Sequence, residues 1–118
     1  MKRIGLITSG GDAPGMNACI RAITKYCLNI GIVPIGFFDG YQGIIENRCL
    51  ELGFTDVNNI IHQGGTILGT ARSEEFRTAQ GRSKAIGNLL SNKIDALICI
   101  GGDGTFAGAN VLSEEMNI

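Results

Sequence analysis

Twice in this chain a short apolar run ends in paired glycines followed by an aspartate. Residues 4–8 run into Ser9-Gly10-Gly11-Asp12, and residues 96–100 run into Gly101-Gly102-Asp103. Uninterrupted runs of this length suit strands buried on both faces of a parallel sheet. Glycines at their ends let backbone N–H groups come close to a ligand. In open α/β sheets ligands bind outside the carboxyl ends of the strands, so both turns are expected to line one crevice. Neither turn is a G-x-G-x-x-G fingerprint or a phosphate loop ending in Gly-Lys-Ser/Thr, which weighs against dinucleotide and P-loop readings.

Between the two turns the pattern alternates. From Met16 the apolar positions Cys19, Ile20, Ile23, Cys27 and Ile30 recur at helical spacing, and Gly31 supplies a left-handed stop. A second strand follows at 33–38, completing a βαβ unit. Residues 39–78 are less regular, with a β-excursion near 49–52, a short helix at 56–61 and then Gly64-Gly65. A helix at 83–92, with Ile86, Leu89 and Leu90 on its buried face, leads to the strand at 96–100. Phe106, Ala109 and Leu112 begin another helix. The fold class is therefore α/β: a doubly wound, mostly parallel sheet with helices on both faces. Three strong parallel strands make a thin sheet, so residues 1–118 are expected to form one incomplete nucleotide-binding domain cut from a longer chain. A reading frame that terminates at Ile118 would count against that.

Composition narrows the function. Ten basic and 11 acidic residues give a net charge of −1 with no basic stripe, which argues against nucleic acid or a membrane surface as partner. No apolar stretch approaches the roughly 18 residues of a membrane span, and the start shows no signal-peptide pattern, so a cytoplasmic protein is expected. Cys19, Cys27, Cys49 and Cys99 are widely spaced without a C-x-x-C pair and are expected to be buried, inert thiols. Eighteen of the 118 residues are glycine, roughly twice the usual ~7%. They cluster after apolar runs, as phosphate-cradling turns do and linkers do not.

Gly101-Gly102-Asp103-Gly104-Thr105 carries the most chemistry. A helix N-terminus following the glycines favours an anion. Asp103 would repel a phosphate unless magnesium lies between them, and Thr105 can donate a hydroxyl hydrogen bond to a phosphate oxygen. The alternative is a tight strand-to-helix turn with Asp103 as a helix cap. A third candidate is Gly69-Thr70-Ala71-Arg72-Ser73, followed by Arg77 and Arg82: a fixed guanidinium is what phosphoryl transfer needs, although such an arginine is also a common surface ion-pair partner. His62, with no second ligand in view, is assigned a structural role.

The chain resembles the bacterial 6-phosphofructokinases over essentially its whole length. The resemblance rests on residues 4–18 (Ile-Gly-Leu-Ile-Thr-Ser-Gly-Gly-Asp-Ala-Pro-Gly-Met-Asn-Ala), Asp39-Gly40-Tyr41, the stretch 64–72 (Gly-Gly-Thr-Ile-Leu-Gly-Thr-Ala-Arg) and Ile100-Gly101-Gly102-Asp103-Gly104-Thr105. It implies a Rossmann-like domain and transfer of the ATP γ-phosphoryl group to the 1-hydroxyl of fructose 6-phosphate in glycolysis, usually by a homotetramer. It further implies that Gly11 lies against the ATP phosphates, that Tyr41 packs near the nucleotide and that Arg72, as catalytic residue, reaches with Ser73 toward the transferring group. Asp103 would hold Mg2+, while Gly102, Gly104, Thr105 and Gly108 shape the pocket. Pyrophosphate-dependent relatives typically carry Asp at the position of Gly104, so Gly104 favours ATP.

The family's general base, in a Thr-Ile-Asp-Asn-Asp motif, is not in this sequence, so the piece alone is expected to be inactive. An effector site for ADP or phosphoenolpyruvate would draw on Arg21, Lys25, Phe54 and Asn59. Phe54 stands where the family has arginine and Asn59 where it has aspartate, so control is expected to be weakened or altered. Arg21 and Lys25 could equally be solvated helix residues. The rival readings are a pyrophosphate-dependent phosphofructokinase, the lipid and NAD kinase superfamily that shares the Gly-Gly-Asp-Gly-Thr turn, and a non-catalytic nucleotide-binding regulatory subunit of the same fold.

Overall fold

Alternation along the strands decides which helices go to which side. A computed structural model describes residues 2–10, 15–60, 63 and 65–116. β1 (Arg3–Thr8), β2 (Val33–Phe37), β3 (Cys49–Glu51) and β4 (Ala96–Ile100) form one sheet in the order β3-β2-β1-β4. β1 pairs in parallel with β2 and with β4, whereas β3 is antiparallel to β2. On one face Ile7, Ile35 and Phe37 pack beneath α2 (Tyr41–Glu46), α4 (Ala79–Ser91) and α5 (Asp103–Met116). On the other face Ile4 and Leu6 pack against α1 (Met16–Asn29) and α3 (Phe54–Val57). The expected doubly wound, mostly parallel arrangement is present.

The regular elements lie close to their expected bounds, and the differences have local causes. α4 starts earlier than its apolar face suggests because the Thr78 side-chain oxygen accepts the Gly81 amide at 2.9 Å and caps the helix. The short helix expected at 56–61 is α3, shifted forward. There the Asp56 carboxylate accepts the Gly53 amide at 2.7 Å and fixes the start. α2 has no counterpart in the apolar pattern: it is six residues long and contains Gly43, whose missing Cβ makes room for the Phe38 carbonyl. α5 begins inside the glycine motif, at Asp103. Its inner face is Thr105 and Leu112: Leu112 is buried in keeping with the apolar pattern, whereas Phe106 is 56% exposed and Thr105 takes the inward position at the helix start.

The sheet is tied at its lower end by Asp95, whose carboxylate accepts the amides of Lys2 at 2.8 Å and Arg3 at 3.0 Å. All four cysteines are free, but only Cys27 is buried as expected, with Cys19, Cys49 and Cys99 half-buried; burial pushes the Cys27 and Cys99 thiols up, away from the reactive thiolate. Among the described residues no helix is long and apolar enough to cross a membrane.

Leu6 is fully buried in the central strand, whereas Leu90 on α4 is 64% exposed. Leu6→Ala is expected to cost about 3 kcal/mol in urea unfolding, because the cavity adds to the lost transfer energy. Leu90→Ala should stay within about 0.5 kcal/mol.

Candidate functional site

β1 and β4 are neighbours in register, with Thr8 opposite Ile100, so the turns that follow them emerge side by side. The Ser9 amide donates to the Ile100 carbonyl at 2.9 Å and carries the pairing past the last strand residues. Gly10, at φ +82°, puts its backbone close to the Gly102 amide. A Cβ at Gly101 would lie 2.3 Å from the Thr105 hydroxyl oxygen and 2.6 Å from the Ser9 carbonyl, so only glycine lets the two turns close on each other.

These turns form the floor of an open cleft of about 1050 Å³. Its walls are the 70–77 segment on one side and the first turns of α5 on the other, with Tyr41 and Arg82 contributing. α5 presents its N-terminus here, where backbone amides lack helical partners and the helix dipole is positive. Thr105 is 3% exposed, and its hydroxyl oxygen has no hydrogen-bond partner among the described residues. A buried hydroxyl without a partner is costly and calls for a ligand oxygen or water. Asp103 and Gly104 are exposed on the cleft wall, and a Cβ at Gly104 would meet nothing within 4 Å.

Tyr41 is buried within the wall. Its hydroxyl donates to the Thr105 carbonyl, and its ring stacks on Phe76 with centroids 4.1 Å apart and planes 15° apart. A Cβ at Gly108 would approach the Tyr41 ring at 2.8 Å, so Gly108 shapes the site by admitting that ring. Burial, with a smaller contribution from Cys99, pushes the Tyr41 hydroxyl well above the ordinary tyrosine range. Phe76, in the 3-10 turn Glu75–Arg77, is therefore part of the wall although no apolar periodicity marks it in the sequence.

The arginines differ in their commitments. Arg72 lines the cleft, exposed and without an ion-pair partner among the described residues. Arg77 faces Glu74 at 4.0 Å with both side chains mostly exposed, while Arg82 donates to Glu115 at 2.9 Å and to the Phe76 carbonyl at 3.2 Å. Ser73 also lines the cleft, but its hydroxyl is committed within the protein, donating to Gln42 Oε1 at 2.6 Å. Of the remaining candidates, Gly102 sits at the cleft floor, and Gly11 and His62 lie outside the described residues.

Arg21, Lys25, Phe54 and Asn59 fall on and after α1 and α3, on the opposite side of the sheet from α2 and α5. The Arg21 Nε is buried without a partner, Phe54 is 47% exposed, and Asn59 adopts a left-handed φ of 65°.

The raised Tyr41 hydroxyl has a pH consequence. Below about pH 10 both folded and unfolded chains hold the proton and the full stability is present. Above that the unfolded chain ionises while folded Tyr41 does not, so stability falls as pH rises, by up to about 1.4 kcal/mol per pH unit. Tyr41→Phe keeps the stack and removes the hydroxyl. It is expected to cost about 1–2 kcal/mol at neutral pH and to flatten the alkaline decline, both read from urea midpoints.

The phosphofructokinase family model matches residues 3–118. The chain is 56% identical over 115 residues to ATP-dependent 6-phosphofructokinase 1 of Thermus thermophilus, covering 98% of this chain and 36% of that protein. It is 53% identical to the ATP-dependent 6-phosphofructokinase of Clostridioides difficile, covering 97% and 36%. Among solved structures, phosphofructokinase from Saccharomyces cerevisiae superposes with a TM-score of 0.94 at 42% identity, over 98% of this chain and 16% of that one. A pyrophosphate-dependent phosphofructokinase from Marinobacter aquaeolei gives 0.85 at 16% identity, over 99% and 30%, a likeness of fold alone. The chain thus spans little more than a third of the length of the curated relatives it matches. Two glycine turns closed against each other at the ends of β1 and β4, on a sequence matched along nearly all its length, place this chain in the phosphofructokinase family.

Proposed function

We propose that this chain is the nucleotide-binding part of an ATP-dependent 6-phosphofructokinase, which moves the γ-phosphoryl group of ATP to the 1-hydroxyl of fructose 6-phosphate. The observation that carries this reading is the unpartnered, buried Thr105 hydroxyl at the start of α5, where the two glycine turns meet. An anion seated there would satisfy that hydroxyl and the free amides of the helix terminus together. The two curated relatives named as ATP-dependent 6-phosphofructokinases, identical to this chain at 56% and 53% of the aligned positions, support the same donor.

The residues present suit a magnesium nucleotide. Among the described residues no three His, Cys, Asp or Glu side chains gather into a cage. Two exposed carboxylates line the cleft, Asp103 at the start of α5 and Glu74 on the facing wall, and Asp103, beside the glycine turn, suits magnesium, which keeps several waters and takes one or two carboxylates together with substrate phosphates. When bound, magnesium neutralises charge on the β- and γ-phosphates. Gly11, next to Gly10, would lie against the phosphates. Arg72 would stabilise the negative charge on the transferring group, and Gly102, Gly104 and Gly108 would leave the nucleotide its space. In the transfer, the sugar oxygen bonds to the γ-phosphorus, the bond to the bridging oxygen breaks, and ADP leaves. The hydroxyl proton needs a base that this sequence does not contain, so binding without turnover is expected of the chain alone.

The same reading carries a cytoplasmic setting and a homotetramer for the whole enzyme. At α1 and α3, Arg21 and Lys25 would contribute positive charge to an ADP or phosphoenolpyruvate effector site, and the neutral Phe54 and Asn59 would alter its response.

Calorimetric titration tests the donor. Magnesium-dependent ATP binding that weakens about tenfold or more in Asp103→Ala, roughly 1.4 kcal/mol, is expected, with pyrophosphate clearly poorer. Gly104→Asp, whose side chain enters open space, should weaken ATP much more than pyrophosphate. A preference for pyrophosphate in the unaltered chain would overturn the assigned donor.

A further inference from the structure

Gln42 does not line the cleft, yet it is joined to the segment that carries Arg72 through a directed run of hydrogen bonds. Its Nε2 donates to the Glu46 carboxylate at 2.9 Å and to the Glu75 carboxylate at 3.3 Å. Ionised carboxylates only accept, so the amide has one sensible orientation, with the nitrogen toward the acids and Oε1 toward Ser73. Hydrogen bonds from Gln42 and Arg48 hold Glu46 below the usual carboxylate range, and those from Lys84 and Gln42 do the same for Glu75, so both stay acceptors. The Ser73 hydroxyl must then donate to Gln42 Oε1, at 2.6 Å, which leaves its lone pairs for the Phe76 amide at 3.1 Å. Each donor in this run strengthens the next.

The run ends on the residue that stacks on Tyr41, the neighbour of Gln42 on α2. α2 thus grips the 3-10 turn twice, through an aromatic face and through an amide. Arg72 lies between that turn and the Gly69 carbonyl, which accepts the Thr8 hydroxyl at 2.8 Å. A segment anchored at both ends holds its exposed arginine within a narrow range of positions, and small displacements of such a group cost binding and rate.

We propose that Gln42, acting through Ser73, is a positioning residue for the nucleotide: it sets the 72–77 segment, and the Ser73 hydroxyl works inside the protein wall instead of on the ligand. This rests on the ATP reading above.

The test compares Gln42→Leu, Ser73→Ala, their double variant and Ser73→Thr with the unaltered chain, by magnesium-ATP calorimetry and by hydrogen exchange of the Phe76 amide. Either single change should speed Phe76 exchange and weaken ATP about 5- to 20-fold, the double variant should be no weaker than the worse single, and Ser73→Thr should stay within about twofold. If Ser73 touched the nucleotide directly, Gln42→Leu would bind ATP like the unaltered chain, and that result overturns the proposal. So does a double variant whose loss is the product of the single losses, or faster Phe76 exchange with unchanged ATP affinity. Ser73→Ala removes one oxygen from a half-buried loop position and supplies the same comparison against Ser73→Thr if Gln42→Leu unfolds. Failure of the unaltered chain to bind magnesium-ATP defeats the reading of this piece as a self-sufficient nucleotide site, and this inference with it. Loss of the differences among variants defeats this inference alone.

Discussion

The parallel pairing of β1 with β4 is the constraint on which the rest of the site depends. Neighbours in the sheet are not neighbours in sequence: more than ninety residues separate Thr8 from its partner Ile100. That pairing aligns two strand ends so closely that one amide of the first turn bonds the last carbonyl of β4. Parallel strands need long crossovers, and everything between β1 and β4 serves as one. Those intervening elements also cover both faces of the sheet. β1 is buried almost throughout, whereas β4, expected to be buried on both faces, is half-buried at every position because it is an edge strand of the described sheet.

Closing the turns leaves a polar group to be dealt with. The contact between Ser9 and Gly101 buries the Thr105 hydroxyl without a partner, while the Thr105 carbonyl is given one by Tyr41. The same residue is thus satisfied on its backbone side by a fixed tyrosine and left open on its side-chain side. Tyr41 lies under α5, against Gly108, and its other ring face meets Phe76. Both walls of the cleft are consequently referred to one buried ring, so the distance between the helix terminus and the arginine segment is set by packing and not by ligand.

The legible part of this structure was the part governed by period and burial. Residues 4–8 and 96–100 are strands because no polar side chain interrupts them, and α1 follows from the recurrence of Ile20, Ile23 and Cys27. Asp103, Arg72, Gly102, Gly104 and Gly108 are singled out by their chemistry and line one cleft, while Gly11 lies outside the described residues. Short elements were not legible. α2 has too few residues for a periodic signal and depends on the Gly43 gap beneath the Phe38 carbonyl. Phe76 sits in a three-residue turn, and its partner Tyr41 is 35 positions away, so only the folded chain shows the stack. On α5 the expected Leu112 is buried, but at the helix start Thr105 and not Phe106 turns inward, with Gly108 against the Tyr41 ring. Apolar pattern favours the largest side chain, whereas here Tyr41 fills the space and needs a small neighbour.

Which arginine meets an incoming phosphate follows from what each one already holds. Arg82 is mostly buried and bonded to both Glu115 and the Phe76 carbonyl, so moving it would leave a partly desolvated carboxylate and a carbonyl unpaired. Arg77 and Glu74 are close to 80% exposed and 4.0 Å apart, an arrangement that contributes little and is readily given up. Arg72 has no such bond to break among the described residues, and its segment is held at Gly69 on one side and Ser73 on the other. Binding an anion through Arg82 would cost existing bonds, and through Arg77 it would cost the ordering of a long, solvated side chain. Arg72 alone combines an unpaired guanidinium with an anchored backbone, which is the arrangement that preorganised charge stabilisation requires.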